Sequence, residues 1–260
     1  MTGSFLDMQA YVGITKHIGG LPATKTLLSL CHVEDAREIL EVGCGIGVGP
    51  VHAASSYDCE VVGVDISEQM IEWSRRRARE GRVQDRIEFR VADVLALPFE
   101  ADRFDATLCE SVLAFVADKE QAIRELVRVT KPGGYVGLNE AFLATEAPSP
   151  RVIELARGMG TEIVSLDAWR ALWDASGLRD RQVRAYRIDP AREVRGRMRW
   201  IGMRWLIGGW ARALRVYVTQ PSLRPALETQ LGAAKEMPGD EPAAPSAWAS
   251  FGYGLFVGRK

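Results

Sequence analysis

The chain has 260 residues, 47% of them hydrophobic, which is enough for one sizeable core or one domain with an elaboration. Its 33 basic and 34 acidic residues leave a formal net charge of -1, which argues against a partner bound through bulk charge, nucleic acid above all. The N-terminus lacks the apolar core of a signal peptide, and no run of about 18 apolar residues predicts a membrane span. Four cysteines without C-x-x-C spacing predict buried, reduced thiols, no metal site and a cytoplasmic location.

Short apolar runs alternate with helical stretches from residue 37 onward. Five of these runs are predicted as strands, over residues 37–43, 60–66, 87–93, 104–110 and 134–142. Ser67 is a typical cap for the helix that ends at Gly81, and Asp118 with Gln121 forms a capping box for the helix that stops at the KPGG turn, 131–134. Such alternation needs crossover connections, and it predicts a parallel sheet with helices on both faces.

The regularity falls away after residue 143. We expect a capped helix at 165–177, a strand at 181–188 and a last strand at 251–259, with a Pro/Gly-rich connector at 238–245. The composition of residues 190–218 is helical, with a break at Gly208-Gly209. The predicted organisation is therefore a helical cover at 1–30, a core at 31–189 and 246–260, and a helical insertion near 190–235 within a cap and connector region, 190–245.

Four glycines at alternate positions in EVGCGIGVG, residues 41–49, follow the first strand. In an open α/β sheet the first strand-to-helix turn lies where ligands bind. A dinucleotide needs G-x-G-x-x-G, but the sixth position from Gly43 is Val48, and from Gly45 it is Pro50. A tight turn made only for packing stays open as an alternative.

Two acids follow the next two strands. Asp65 ends the second strand, where a carboxylate can accept hydrogen bonds from both hydroxyls of a ribose. Asp93 ends the third strand, where it can meet an adenine edge while Val94 covers the ring. Each acid could instead cap its own turn, so that neither discriminates alone.

These residues resemble the class I S-adenosylmethionine-dependent methyltransferases. The resemblance covers residues 37–142 through EVGCGIG, Asp65, VADVLALPF, FDATLCESVLAFV and VRVTKPGG, and FGYGLFVGR resembles the reversed seventh strand of that fold. It implies a Rossmann-like, mostly parallel α/β sheet of seven strands in the order 3-2-1-4-5-7-6, with the last strand antiparallel. It also implies S-adenosyl-L-methionine as cofactor and S-adenosyl-L-homocysteine as product. The implied cofactor contacts are Glu41, Gly43, Cys44, Gly45, Asp65, Ile66, Met70, Asp93, Val94 and Glu110.

Three residues are candidates for a catalytic role: Glu140, which could contact the methyl acceptor, and His17 and Tyr11, which could form a lid that contacts the cofactor or the acceptor. Glu140 stands inside an apolar strand, where an unpaired carboxylate is costly, although a salt bridge to an arginine would also explain it. His17 and Tyr11 lie in the N-terminal cover, and related small-molecule enzymes have a similar His-x-Gly-Gly segment folded over the cofactor. A capping histidine and a core tyrosine are the alternatives.

The acceptor is expected to be a small molecule. The stretch Cys109-Glu110-Ser111-Val112 lacks the Pro-Pro motif of DNA amino-methyltransferases, and no cysteine follows Cys109 to serve arsenite chemistry. The oligomeric state is left as monomer or homodimer. Two further alternatives are a nucleotide-dependent oxidoreductase and a cofactor-binding protein without catalysis.

The insertion carries an apolar helical stripe and a basic face. Met203, Ile207, Trp210, Leu214 and Val218 form the stripe, whereas Arg192, Arg195 and Arg199 mark another face. A cap helix packed on the domain, with solvated arginines, is the favoured interpretation. Weak association of residues 190–218 with a membrane surface, reception of an amphiphilic substrate, and a dimer face are the alternatives.

Overall fold

The computed structural model describes residues 5–14, 18–146, 148, 150–188, 202–228 and 250–260. Its α-helices are α1 (Phe5–Val12), α2 (Gly20–Leu30), α3 (Val48–Ser56), α4 (Glu68–Gly81), α5 (Lys119–Val129), α6 (Pro150–Gly158), α7 (Leu166–Asp174) and α8 (Met203–Thr219). Its strands are β1 (Glu38–Val42), β2 (Glu60–Asp65), β3 (Ile87–Val91), β4 (Phe104–Glu110), β5 (Thr130–Leu143), β6 (Arg179–Arg187) and β7 (Phe251–Arg259).

The seven strands form one sheet in the order β3-β2-β1-β4-β5-β7-β6. Strands β1 to β5 pair in parallel, whereas β7 runs antiparallel to both β5 and β6. The predicted fold class and strand order are therefore confirmed. The chain crosses from β3 back to β4 beside β1, so the carboxyl ends of β1 and β4 meet at the point where strand order reverses.

Two apolar layers enclose the sheet. On one face, α5 and α7 bury Leu126, Trp169 and Trp173 against strands β4, β5 and β7. On the other face, Leu27 of α2 packs over β5 and β7, whereas Ile71 of α4 and the small residues of α3 pack over β2 and β3. The four cysteine thiols are buried and unpaired.

Helix starts follow the predicted caps. The Ser67 hydroxyl accepts a hydrogen bond from Met70 N at 3.3 Å, and an Asp118 carboxylate oxygen accepts one from Gln121 N at 2.9 Å. Each cap satisfies an amide that the first helical turn leaves without a partner. The caps thereby fix where α4 and α5 leave the ligand edge of the sheet.

The helix stops before KPGG as predicted, since α5 ends at Val129, but residues 131–134 belong to the strand and do not form a separate turn. Strand β5 begins at Thr130, and residues 131–134 form a bulge in its pairing with β4, with Gly133 at φ 83°. The last residue supports the bulge, because Gly133 N donates to Lys260 O at 2.8 Å and Lys260 N donates to Gly134 O at 2.9 Å. Pairing with the chain end thus extends the strand through two glycines.

The predicted break at Gly208-Gly209 is also wrong, since α8 runs without interruption from Met203 to Thr219. Gly209 is buried, and a Cβ there would lie 2.8 Å from the Ile14 side chain. The missing side chain therefore allows α8 to approach the end of α1 closely. The first part of the insertion, with Arg192, Arg195 and Arg199, and the connector 238–245 lie outside the described residues.

The N-terminal segment divides into two parts. Helix α2 belongs to the core layer, whereas α1 packs on α4 and α8, where Trp73 Nε1 donates to Ala10 O at 2.9 Å and Arg212 Nε donates to Val12 O at 2.7 Å. A cover that includes all of 1–30 stays a prediction. In the described part of the chain, every helix is too short or too polar to cross a membrane.

Candidate functional site

The glycine turn between β1 and α3 is a left-handed path. Gly43, Gly45 and Gly47 have φ values of 72°, 54° and 76°. This left-handed backbone conformation raises the conformational energy of any residue with a Cβ. At Gly43 a Cβ would also meet Val112 Cγ2 at 2.1 Å. The turn therefore needs glycine both for its backbone path and for the close approach of the segment after β4.

Asp65 fastens this turn to the end of β2. One carboxylate oxygen accepts a hydrogen bond from Gly45 N at 2.9 Å, and the other accepts one from Ser67 N at 2.9 Å. Burial raises the pKa of Asp65, and the two amide bonds act against the rise. Each oxygen keeps further acceptor capacity, and a truncation of Asp65 would loosen the turn; its contact with a ribose stays a prediction.

The Glu41 carboxylate lies directly against Gly49, in the first turn of α3. A Cβ on Gly49 would be 2.3 Å and 2.4 Å from the two carboxylate oxygens. The fourth glycine therefore makes room for this acid and does not open the helix end to an anion. Burial, and then the negative charge of Glu110, raise the pKa of Glu41 well above its usual range.

Glu110 lies at the end of β4, next to β1. Its Oε2 accepts hydrogen bonds from Thr24 Oγ1 at 3.3 Å and from Asn139 Nδ2 at 3.1 Å. Burial raises the pKa of Glu110 to about 7 in spite of these bonds. Two acids with raised pKa values thus meet at the topological switch point, and a bound cation would lower both values.

The chain that precedes α2 is held to the same edge. Ile18 O accepts a hydrogen bond from Asn139 Nδ2 at 2.9 Å, and Ile18 N donates to the Ser111 hydroxyl at 3.3 Å. Ser111 has φ 60°, a left-handed conformation that directs β4 into the following turn. The N-terminal segment therefore reaches the ends of β4 and β5, beside Glu110.

Glu140 supports the turn that follows β4. It is fully buried, and its Oε1 accepts hydrogen bonds from Val112 N at 2.9 Å and Leu113 N at 2.8 Å. Burial raises its pKa to about 7, although these amides act in the opposite direction. The salt bridge to an arginine that the sequence left open is absent from the described contacts of Glu140. These contacts favour a positioning role for Glu140. Contact between Glu140 and an acceptor stays a prediction.

We expect the stability of the protein to fall as pH rises from about 4.5 to about 7. The folded chain keeps the Glu140 proton up to about 7, whereas the unfolded chain loses it near the ordinary value of 4.5, so rising pH favours unfolding in this window. Glu140→Gln removes this contribution, up to ~3 kcal/mol. Urea denaturation at pH 5 and pH 8 measures the change in the free energy of unfolding, with Glu60→Gln at an exposed position as the control. If the free energy of unfolding depends on pH in the same way in the wild type and in Glu140→Gln, the raised pKa is not that of Glu140.

The other predicted cofactor residues differ in exposure. Ile66 is 65% exposed directly after Asp65, so its side chain is available to cover a ligand. Met70 is buried against Ala10, and Cys44 is buried in the core with its Sγ 3.8 Å from Ser74 Oγ. Burial raises the pKa of the Cys44 thiol well above its usual range, and the contact of Cys44 with the cofactor stays a prediction.

Asp93 and Val94, the two residues predicted to contact adenine, lie at a tight turn after β3. Asp93 is exposed, and its Oδ1 accepts a hydrogen bond from Leu95 N at 2.9 Å, so the acid does cap its own turn. Val94 is 6% exposed and packs in the main core. Their contact with adenine stays a prediction.

The predicted lid residues are described only in part. Tyr11 is half-buried in α1, against the apolar cluster that α1 forms with α8. His17 lies outside the described residues. Their roles at the site stay predictions.

Sequence reasoning missed Thr24 and Asn139, which bind Glu110. Asn139 was visible as a polar residue in the apolar run VGLNEAF, and Asn139 Oδ1 is buried without a partner in the described part of the chain. Thr24 gave no signal, because its contact with Glu110 joins residues 86 positions apart.

Among the described residues, one cluster could hold a metal by its residue types, namely the exposed His32, Glu34 and Asp35. It precedes β1 and so lies at the amino edge of the sheet, away from the glycine turn. It takes no part in the site.

Comparison with known proteins finds similarity to methyltransferases. Residues 40–138 match the family model described as a methyltransferase domain. The 27-O-demethylrifamycin SV methyltransferase of Amycolatopsis mediterranei is 32% identical over 160 residues, 60% of this chain and 58% of that protein. Phosphoethanolamine N-methyltransferase 1 of Arabidopsis thaliana is 28% identical over 162 residues, 62% of this chain and 33% of that protein.

Solved structures share the fold. The Haemonchus contortus phosphoethanolamine N-methyltransferase 2, bound to phosphomonomethylethanolamine and S-adenosylhomocysteine, has a TM-score of 0.68 at 17% identity, over 100% of this chain and 58% of that chain. The [4+2]-cyclase SpnF has a TM-score of 0.70 at 20% identity, over 100% of this chain and 94% of that chain.

The strand order, the glycine turn and the acid after β2 define the class I, Rossmann-like methyltransferase fold. Residues 40–138 are similar to a methyltransferase domain, and the solved structures show that the whole chain shares the fold. It spans 58% and 33% of the lengths of the two curated relatives above.

Proposed function

We propose that this protein transfers a methyl group from S-adenosyl-L-methionine to a small-molecule acceptor by direct in-line displacement. The observation that carries the proposal is the pair of buried acids, Glu41 and Glu110, at the switch point beside the glycine turn. This site suits a ligand with a cationic end and a ribose. S-adenosylmethionine has an ammonium and a sulfonium group, and the family comparison supports it as the methyl donor.

The same acids oppose a dinucleotide. A pyrophosphate needs the free N-terminus of the first helix, whereas Glu41 places a carboxylate against Gly49 at that position. A phosphate at this position would meet a side chain that already lies against the helix end. The contact therefore agrees with the failed G-x-G-x-x-G spacing and disfavours an oxidoreductase.

The residues of the chain bind and orient the donor. The glycine turn and Asp65 would hold the methionine part and the ribose, while Glu41 and Glu110 would supply negative charge near the amino end. The donor supplies a methyl group already activated by its sulfonium. Glu140 holds the turn after β4 in place, and most of the rate enhancement would come from alignment of the acceptor and exclusion of water.

The acceptor is proposed only as a class. The curated relatives are named for a rifamycin derivative and for phosphoethanolamine, and geranyl diphosphate methyltransferase shares the fold with a TM-score of 0.62 at 20% identity. These names cover hydroxyl, amine and isoprenoid carbon acceptors. They support small molecules in general and do not favour one atom.

The test is transfer of labelled methyl from S-adenosylmethionine to a panel of amines, phenols, macrocyclic alcohols and isoprenoid diphosphates. We expect label in one acceptor class and equimolar S-adenosylhomocysteine. Binding of the donor without transfer to any member would favour the non-catalytic alternative. The wild type without acceptor controls for hydrolysis of the donor.

We also expect Glu110 to release about three-quarters of a proton when the protein binds S-adenosylhomocysteine at pH 6.5, and Glu41, whose pKa is also raised, to add to the release. The ammonium of the ligand lowers the pKa of Glu110, which burial holds at about 7 in the free protein. Calorimetry in two buffers of different ionisation enthalpy measures the release. Glu110→Gln should diminish the proton release. The matched control is Glu140→Gln, which should leave the release unchanged, because the Glu140 carboxyl has an equally raised pKa but bonds to the backbone turn. Proton uptake by the wild type would contradict the arrangement.

A further inference from the structure

Helix α8 directs a continuous apolar face away from the domain. Six large side chains of this helix are between 43% and 68% exposed, namely Met203, Ile207, Trp210, Leu214, Tyr217 and Val218. We call them the α8 stripe. Their spacing of mainly three and four residues puts them on one side of the helix. A contiguous exposed apolar patch of this kind marks an interaction surface.

The opposite face of α8 is already used for packing. Gly209 meets Ile14, Val216 is buried with α1, and Arg212 Nε donates to Val12 O at 2.7 Å. Because these contacts fix the rotation of the helix, the α8 stripe is not a surface that turns inward to complete the core. The sequence favoured a cap helix packed on the domain; α8 does pack on α1, but through Gly209 and Val216, and the α8 stripe lies outside.

Positive charge borders the α8 stripe. Arg204 and Arg215 are exposed beside it, and the helix has no acidic residue. A groove of about 510 Å³ adjoins Arg204, and its lining residues are Trp73, Arg76, Glu80, Arg204, Trp205, Gly208 and Arg212. Its one acid, Glu80, already accepts hydrogen bonds from Arg76 and Trp205.

The groove keeps unused donor capacity. Arg212 stacks on Trp73, with its guanidinium carbon 4.6 Å from the ring centre. Arg212 Nη2 is buried and, within the described ranges, has no hydrogen-bond partner. An anionic group in the groove could accept from the exposed Arg204 while the α8 stripe remains free beside it.

Charge complementarity decides which partner fits the face. A second copy packed across a two-fold axis would juxtapose the same surface, and so bring Arg204 and Arg215 of both copies together. An anionic lipid surface instead matches the arginines and receives the apolar side chains, with Trp and Tyr at the headgroup level. We propose that the α8 stripe, with Arg204 and Arg215, docks this protein on an anionic membrane surface, independently of the reaction it performs.

The test is co-sedimentation of the full chain with vesicles. The probes are vesicles of phosphatidylcholine with phosphatidylglycerol, and vesicles of phosphatidylcholine alone. We expect binding to the anionic vesicles only, and weaker binding at high salt, because arginine–lipid attraction is screened. Ile207→Gln/Leu214→Gln should lower the partition coefficient about tenfold or more, since the apolar area available for burial is lost.

Matched variants separate the α8 stripe from general effects. Leu6→Gln/Ile153→Gln changes two other exposed apolar residues and should bind as the wild type does. Arg204→Gln/Arg215→Gln should bind less than Arg184→Gln/Arg187→Gln, which alters net charge equally on strand β6. Circular dichroism melts verify that each variant is folded.

Two results would overturn the proposal. The first is the absence of the expected vesicle binding: either the wild type fails to sediment with anionic vesicles, or folded Ile207→Gln/Leu214→Gln binds them as well as the wild type does. The other is a dimer by light scattering that this variant converts to monomer, with no vesicle binding, which would assign the face to a second copy.

Discussion

Glu41→Gln should weaken the binding of S-adenosylhomocysteine about 10- to 100-fold, since a hydrogen bond to a charged group contributes ~1.5–3 kcal/mol. The substitution keeps the size of the side chain and its contact with Gly49, but it removes the negative charge that would meet the ligand's amino end. Folding should be retained or slightly improved, because burial penalises the charged form of Glu41. Calorimetry measures the affinity.

The matched control is Glu60→Gln, the same chemical change at the exposed start of β2, at the opposite edge of the sheet. Its affinity should equal that of the wild type. If folded Glu41→Gln binds the ligand as tightly as the wild type, the acid lies outside the ligand's contacts and the interpretation of the site fails.

Gly43→Ala should destabilise the protein by ~3 kcal/mol and abolish cofactor binding, because left-handed strain and overpacking add. Gly43 has φ 72°, and an added Cβ would lie 2.1 Å from Val112 Cγ2. Either the glycine turn or the segment after β4 has to move. Urea denaturation and calorimetry measure the two effects.

Gly177→Ala separates strain from collision. Gly177 has φ 77° but nothing within 4 Å of its built Cβ, so its cost should be only ~1 kcal/mol with binding unchanged. Equal costs for the two variants would mean that the contact between Gly43 and Val112 is unimportant.

The strands were predictable because their apolar runs are bounded by clear signals. The predicted strands 104–110 and 251–259 coincide with β4 and β7, and the caps at Ser67 and Asp118 were located correctly. Local patterns decide such features. The strand order came from the resemblance, because pairing between distant strands has no local signal.

The side-chain contacts of the site were less accessible to sequence. The contact of Glu41 with Gly49 depends on the path of three left-handed glycines, and the bond of Thr24 to Glu110 depends on how α2 packs. Likewise the periodicity of α8 identified its apolar stripe, but Gly209 and Val216 decide which side packs. Tertiary contacts, rather than local propensity, determine these features.

The most direct test of the central claim is calorimetric titration of the wild-type protein with S-adenosylhomocysteine and, separately, with NAD. The buried acids beside the glycine turn predict micromolar binding of S-adenosylhomocysteine and no measurable binding of NAD. Tight binding of NAD, with none of S-adenosylhomocysteine, would contradict the account, because a pyrophosphate would then occupy the helix end that Glu41 is inferred to deny it.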